Sequence, residues 1–266
     1  MAYTSEKIYD DTYLINGDKR ESMYLIIGKD IALLIDAGME EESLKSYCET
    51  LTDKKIILAI THGHFDHISQ AGEFDDVYMD YADKQLYHEH TNLKLPGAEP
   101  TKMNVKNLED IKDIPRSFDL GDREVIVVKS PGHTPGSVLF VDHKNKAVYT
   151  GDAIGSGCGV LMAIGGSLCI SEYKESLNKT IKTLVEMGVD DTYAFHGGHA
   201  GQEKVSRVSD NNVLNLQLMK DMEVLCDKLL NHDCYTEKFI LPLGNVEALY
   251  AYYGKAEMNV FADSIH

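Results

Sequence analysis

Four side chains able to ligate a divalent cation crowd into one short run, His62-Gly63-His64-Phe65-Asp66-His67, directly after the apolar stretch 57–60. Three imidazoles and a carboxylate this close together cannot all serve one tetrahedral ion without severe strain, but two neighbouring ions can share them. His62 and His64 stand two apart, so an extended backbone turns them to the same side. Asp66 and His67 follow after a turn and can face a second position. Imidazole nitrogen and carboxylate oxygen both bind zinc, at about 2.0–2.2 Å. The bland reading of such a run is a histidine-rich surface turn. Ligands at the ends of other strands would separate the two readings.

Three more turns of that kind follow. The apolar strand pattern at 124–129 runs into Ser130-Pro131-Gly132-His133-Thr134-Pro135-Gly136, where glycines let the backbone turn close to an ion. A second strand pattern, 147–150, runs into Gly151-Asp152. A third, 192–195, ends in His196-Gly197-Gly198-His199. Either histidine of that last turn offers a ligand. His199 follows a glycine, which favours close approach of its backbone, and His196 is the rival.

These four motifs, in this order, resemble the HxHxDH pattern and its companions in the metallo-β-lactamase-fold hydrolases, over roughly residues 8–200. The resemblance implies that His62, His64 and His133 hold one ion and that Asp66, His67 and His199 hold another. Asp152 and a hydroxide would bridge them, and Asp66 would also orient the nucleophile. Two dications facing two carboxylates and a hydroxide keep a single net positive charge, which suits an oxyanion. The expected cofactors are therefore two divalent metal ions, zinc, with iron or manganese as alternatives. No motif for an organic cofactor is visible. The implied function is hydrolysis of a small ester, thioester, lactone or phosphoester by a metal-bound hydroxide. In the best-known zinc β-lactamases a cysteine stands where this chain has Asp152, which points away from penicillins. His64 argues against the flavin-linked diiron branch, which carries glutamate there. A mononuclear iron persulfide dioxygenase, or a ligand-binding protein of the same fold without activity, are the competing readings.

Composition narrows the partners. The 266 residues carry 43 acidic and 26 basic side chains, a net charge of −17. That charge repels phosphate backbones and anionic membrane surfaces, so a small molecule is expected rather than nucleic acid or membrane. A homodimer stays open. The five cysteines, Cys48, Cys158, Cys169, Cys226 and Cys234, form no close pair and read as small buried apolar residues. No basic-then-apolar leader and no bilayer-length apolar run is present, so a cytoplasmic setting is expected.

The elements that must position the ligands follow from periodicity. A short strand is expected at 8–15, a hairpin at 23–27 and 31–35, and a helix at 40–51. Asp36, in the turn between them, supports the site or caps that helix. A short helix at 68–74, a strand at 77–79 and a helix at 81–90 come next. His88 and His90 lie on different helix faces and read as surface residues. Residues 91–117 contain Pro96, Gly97, Pro100 and Pro115 and show no period, as for a loop or a substrate-side excursion. His143 falls in the polar turn of a hairpin, 138–141 with 147–150, and receives no function. The glycine-rich stretch 154–170 reads as an apolar wall beside the site. A helix capped by Ser171 follows, with Tyr173, Leu177, Ile181, Leu184 and Val185 as its core stripe. The tail gives a helix from 213 to 230 and extended segments at 234–243 and 257–261. With these elements, the resemblance implies an α/β fold class, in which two layers of strands, each backed by helices, would make a four-layer αβ/βα sandwich of the metallo-β-lactamase type. It forms a single domain over 1–266, with 211–266 as a C-terminal helix-and-strand extension and all the ligands along one edge.

Overall fold

Short, continuous apolar runs, buried on both faces, build the centre of the first sheet. The computed structural model describes residues 2–92, 103–155, 159–201, 214–241 and 246–266. Strands β1 (Tyr3–Tyr9), β2 (Thr12–Gly17), β3 (Ser22–Ile27) and β4 (Ile31–Ile35) pair antiparallel in sequence order. Parallel strands β5 (Lys55–Ala59), β6 (Val77–Met79) and β7 (Lys112–Asp113) complete seven. Tyr24, Ile26, Leu33, Ile35, Ile57 and Ala59 point to one face, while Met23, Leu25, Ala32, Leu34 and Leu58 point to the other.

The second sheet has the order β13-β11-β10-β9-β8, with β8 (Ser117–Asp119), β9 (Glu124–Lys129), β10 (Val138–Asp142), β11 (Ala147–Gly151) and β13 (Ala194–Gly197). Its Phe118, Val125, Val138, Phe140 and Tyr149 pack against the first face above and close the central core. The outer face of the first sheet is covered by helices α1 (Leu44–Glu49), α2 (Phe65–Ile68) and α3 (Lys84–Thr91), through Leu44, Cys48, Ile68 and Tyr87. The outer face of the second sheet, Val128, Leu139, Val141 and Val148, packs with α4 (Ile170–Glu186) and α5 (Leu216–Leu230). This is the αβ/βα sandwich, because each sheet must bury both faces. Tyr173, Leu177 and Leu184 are wholly buried on α4, and each contributes roughly 1.5–3 kcal/mol.

The tail differs from expectation. Strands β14 (Thr236–Leu241), β15 (Val246–Tyr253) and β16 (Ala256–Val260) form a third sheet with β12 (Val160–Leu161), in the order β12-β16-β15-β14. β15 has no counterpart in the sequence reading. Its Leu249 and Ala251 pack toward α5 while Ala248 and Tyr250 are buried on the opposite face, so no clean alternation marks it.

Other boundaries move for local reasons. The strand expected at 8–15 is two strands, because the chain reverses at Asp10-Asp11. α1 starts later, where the Ser43 hydroxyl accepts from Ser46 N. α4 starts before Ser171, with Glu172 Oε2 accepting from Cys169 N at 3.3 Å. Val185 is exposed at 52% and leaves the stripe, being one step around the helix from Leu184. The residues expected as a helix at 68–74 split between the end of α2 and a 3₁₀ turn, Ala71–Glu73. Cys48 and Cys226 are buried, but Cys169 and Cys234 are only half-buried; all four are free, and Cys158 lies outside the described residues. Of the segment 91–117, residues 93–102 also lie outside them. Residues 103–113 run along the first sheet, with Asn104 N donating to Ser69 O and Tyr87 Oη to Lys106 O, and Arg116 and Ser117 pass to the second sheet beside β9. Among the described residues no helix is long and apolar enough to cross a membrane.

Candidate metal centre

The ligand-bearing turns leave the two central sheets at the same end. His62 and His64 follow β5, and α2 begins directly after His64, so Asp66 and His67 sit in its first turn. His133 lies between β9 and β10, Asp152 follows β11, and His199 comes just past β13. Backbone bonds sew these turns together: Val138 N to Thr61 O at 3.0 Å, Gly198 N to Gly151 O at 3.0 Å, and Ser22 N to Gly198 O at 2.9 Å. Two glycines permit the closeness. A Cβ on Gly198 would lie 2.5 Å from Asp152 Oδ1, and one on Gly132 would lie 2.1 Å from the Tyr173 ring.

The seven residues converge. Potential ligand atoms of His62, His64 and His133 lie within 4.8 Å of one another, as do those of Asp66, His67 and His199. His62, His67 and Asp152 form a third such group between them. His199 Nε2 is 3.3 Å from Asp66 Oδ2 and 3.3 Å from Asp152 Oδ2. His67 Nε2 lies 3.6 Å and His133 Nε2 3.7 Å from Asp152 Oδ2. Asp152 thus stands beside both ligand groups. Asp66 and His199 keep side-chain exposures of 20% and 19% where the others are almost sealed, so the centre opens on their side.

Outer contacts fix the tautomers. Asp36 Oδ1 accepts from Thr61 N at 2.7 Å, and Oδ2 accepts from Thr61 Oγ1 at 2.8 Å and from His67 Nδ1 at 2.9 Å. The Thr61 hydroxyl has spent its proton on Asp36, so at 3.0 Å it accepts from His62 Nδ1. His133 Nδ1 donates to Leu161 O at 2.7 Å. A neutral imidazole carries one proton, so His62, His67 and His133 each present a bare Nε2 lone pair to the centre. Nε2 of His62 and His67 and Oδ1 of Asp152 are buried with no hydrogen-bond partner, and so, on the far side of its ring, is Nε2 of His64, whose Nδ1 lies 2.9 Å from His133 Nε2. An unpaired buried polar atom costs roughly 1–3 kcal/mol, and several meeting at one place fit cations.

The electrostatics agree. Burial pushes His62 and His64 well below the usual imidazole range, and His133 below it, which keeps them in the neutral, ligating form. At His67 and His199 burial also opposes charge, but the carboxylates win. Asp66, Asp36 and Asp152 raise His67 well above its ordinary value, and Asp152 and Asp66 raise His199 to about 10. Burial likewise disfavours the charge on Asp66 and Asp152, yet His67 and His199 hold both carboxyls low. The carboxylates draw positive charge to the centre, and cations can replace those protons.

The structure settles one supporting residue left open by the sequence and adds others. Asp36, left open as support or cap, contacts Thr61 and His67 while Ser43 caps α1. Asp83, wholly buried, accepts from Gly63 N at 2.8 Å, Gly136 N at 2.6 Å and Thr134 Oγ1 at 2.7 Å, tying the His62 and His133 turns together. No local signal marks it. His88 is exposed as expected, but His90 is a correction: it is buried beside His64. Its spacing from Leu86 and Tyr87, which share its helix face, was the available signal. His196 enters neither ligand group; its Nε2 bonds Tyr9 Oη at 2.8 Å and its ring stacks on Tyr149. His143 bonds the Tyr193 hydroxyl at 2.6 Å in its exposed turn. The described part of 154–170 flanks His133: Leu161, Ile164 and Leu168 are half-buried there, and Ser167 Oγ donates to His133 O at 2.9 Å.

Comparison with known proteins gives concordant results. The model of the metallo-beta-lactamase superfamily matches residues 16–199. The acyl-coenzyme A thioesterase MBLAC2 of Homo sapiens is 24% identical over 223 residues, 73% of this chain and 79% of its own length. The hydroxyacylglutathione hydrolase GloC of Haemophilus influenzae is 28% identical over 193 residues, 66% of this chain and 85% of its own. A protein crystallised in a di-iron-bound form shares the fold, with TM-score 0.51 and 24% identity over 73% of this chain and 96% of that one.

Proposed function

This chain belongs to the metallo-β-lactamase superfamily of metal-dependent hydrolases, and on that footing we propose that it hydrolyses a small acyl thioester at a centre for two divalent cations. His62, His64 and His133 would hold one cation and Asp66, His67 and His199 the other, with Asp152 reaching both. The observation that carries this reading is that the bare, buried Nε2 atoms of His62 and His67 converge on the Asp152 carboxylate, with neither nitrogen holding a hydrogen-bond partner. Zinc is the proposed metal, with iron or manganese as rivals. Such cations, once bound, lower the pKa of a shared water to about 7 and polarise the substrate oxygen.

The chain's own groups do the rest. Asp66, on the open side, accepts a hydrogen bond from the attacking water and aims its lone pair at the acyl carbon. Asp36 keeps the proton of His67 on Nδ1 and, through Thr61, that of His62 on Nδ1. Leu161, Ile164 and Leu168 offer an apolar wall for the acyl portion. Thioesters are favoured over esters, lactones and phosphoesters because two relatives are named for acyl-coenzyme A and hydroxyacylglutathione.

The test is elemental analysis of the purified protein with turnover of acyl-coenzyme A, acylglutathione, aryl ester, lactone and phosphodiester substrates under zinc, iron and manganese. Two equivalents of metal with thioester turnover that a chelator abolishes is the expected result. Oxygen uptake with glutathione persulfide and one equivalent of iron, without hydrolysis, would overturn it in favour of a dioxygenase. Full metal occupancy with no turnover would favour a binding role.

A further inference from the structure

We infer that His90 is a positioning residue that holds the His64 imidazole in its ligating orientation, taking the place of a hydrogen-bond partner that His64 lacks. The inference rests on the two-cation reading.

The four deeply buried histidines of the centre, His62, His64, His67 and His133, are not held alike. His62, His67 and His133 each have the rear nitrogen tied, to Thr61, Asp36 and the Leu161 carbonyl. His64 does not. Its Nδ1 faces the centre, 2.9 Å from His133 Nε2, while its Nε2 is buried and unpartnered. Apart from that contact between two nitrogens facing the centre, no hydrogen bond fixes the rotation of this ring. What fixes it is packing. His62 and His133 meet it edge-on at 4.7 Å and 4.6 Å, both at 85°. His90 covers its face, with centroids 4.7 Å apart and planes 25° from parallel.

His90 is itself anchored. It is 7% exposed, and its Nδ1 accepts from Phe65 N at 3.2 Å. That N–H belongs to the residue directly after His64, at the start of α2. On the other side of His64, Gly63 N is held by Asp83, which immediately precedes α3. The α3 region thus grips the backbone on both sides of His64 and lays one ring against its side chain. A phenylalanine at position 90 would keep the stack and lose the acceptor; an alanine would lose both.

The test places His90→Ala and His90→Phe in two backgrounds. His199→Ala weakens the Asp66 side and leaves the His62/His64/His133 position to be measured; His64→Ala does the converse. Zinc affinity is read by competition with a chromogenic chelator, ligand geometry by the absorption of the cobalt(II)-loaded protein, and folding by thermal melting. In the His199→Ala background, His90→Ala should weaken zinc about 10- to 100-fold, as for other residues behind a ligand, and alter the cobalt spectrum. His90→Phe should recover most of that loss. In the His64→Ala background neither change should shift affinity by more than about three-fold. Equal losses in both backgrounds, or a shift below about three-fold with His199→Ala, would overturn the positioning role. Should His90→Ala not fold, His90→Phe compared with His90→Gln decides the stack alone, and equal affinities would overturn it. Fewer than two ions in the wild-type protein would instead bring down the two-cation reading and this inference with it.

Discussion

Replacing Asp36 by asparagine should strip both cation positions at once, although Asp36 lies in neither ligand group. The substitution keeps size and exchanges one carboxylate oxygen for an NH₂ group. The oxygen that accepts from Thr61 N at 2.7 Å can stay. The NH₂ then faces Thr61 Oγ1 and His67 Nδ1, 2.8 Å and 2.9 Å from the present Oδ2. As a donor, it forces His67 Nδ1 to accept, which sends the imidazole proton to Nε2. It also leaves the Thr61 hydroxyl free to donate to His62 Nδ1, 3.0 Å away, which sends that proton to Nε2 as well. One atom change therefore removes one lone pair from each cation's ligand set. Loss of a partner behind a metal ligand costs about 10- to 100-fold in affinity, or roughly 1.4–2.8 kcal/mol at each position. The fold should lose only roughly 1–3 kcal/mol, since one buried acceptor survives. Metal content after dialysis, chelator competition and urea unfolding of the metal-free protein measure the three quantities. Retention of both ions within about three-fold of wild-type affinity would refute the tautomer argument.

Asp152→Ala should lower occupancy of both positions, because it removes the carboxylate beside both ligand groups; unchanged metal content would show that Asp152 is not shared. His199→Ala should lose one ion and His196→Ala none, and the reverse outcome in metal analysis would exchange their roles. Asp83→Ala leaves three buried donors unpaired, at Gly63, Gly136 and Thr134, and should destabilise by roughly 3–5 kcal/mol in urea unfolding; a loss below about 1 kcal/mol would contradict its role as a tie. Burial holds His196 down at about 4, below its unfolded value, so between those pH values the unfolded chain takes a proton that the folded chain refuses. Stability from this group is complete above about pH 6.5 and declines toward pH 4, by at most roughly 3 kcal/mol. Comparing unfolding midpoints of His196→Phe and wild type across that window checks it; parallel curves would defeat the assignment.

The sequence by itself determined what is local. Ligand-capable residues could be named at His62, His64, Asp66, His67, His133, Asp152 and His199 because each sits in a short turn after a readable apolar strand. The continuous apolar runs at 23–27, 31–35, 124–129, 138–141 and 147–150 marked strands covered on both faces. Strand ends read this way turn out to lie at one end of the sandwich. Only the tertiary structure decided the rest, because the deciding contacts join residues far apart in the chain. His199 rather than His196 meets Asp66 and Asp152, since the register of β13 beside β11 turns His196 back toward Tyr9 and Tyr149. Asp83 bonds Gly63 and Gly136 and is an ordinary aspartate until the chain closes, and the bond from His67 decides that Asp36 supports the site rather than capping α1. His88 and His90, two apart on a helix, face different ways, and only the packing of α3 decides that His90 is the one turned inward, against His64. The strand Val246–Tyr253 stayed unread for a related reason: covered in part on both sides, it shows no alternation, so pairing alone makes it a strand.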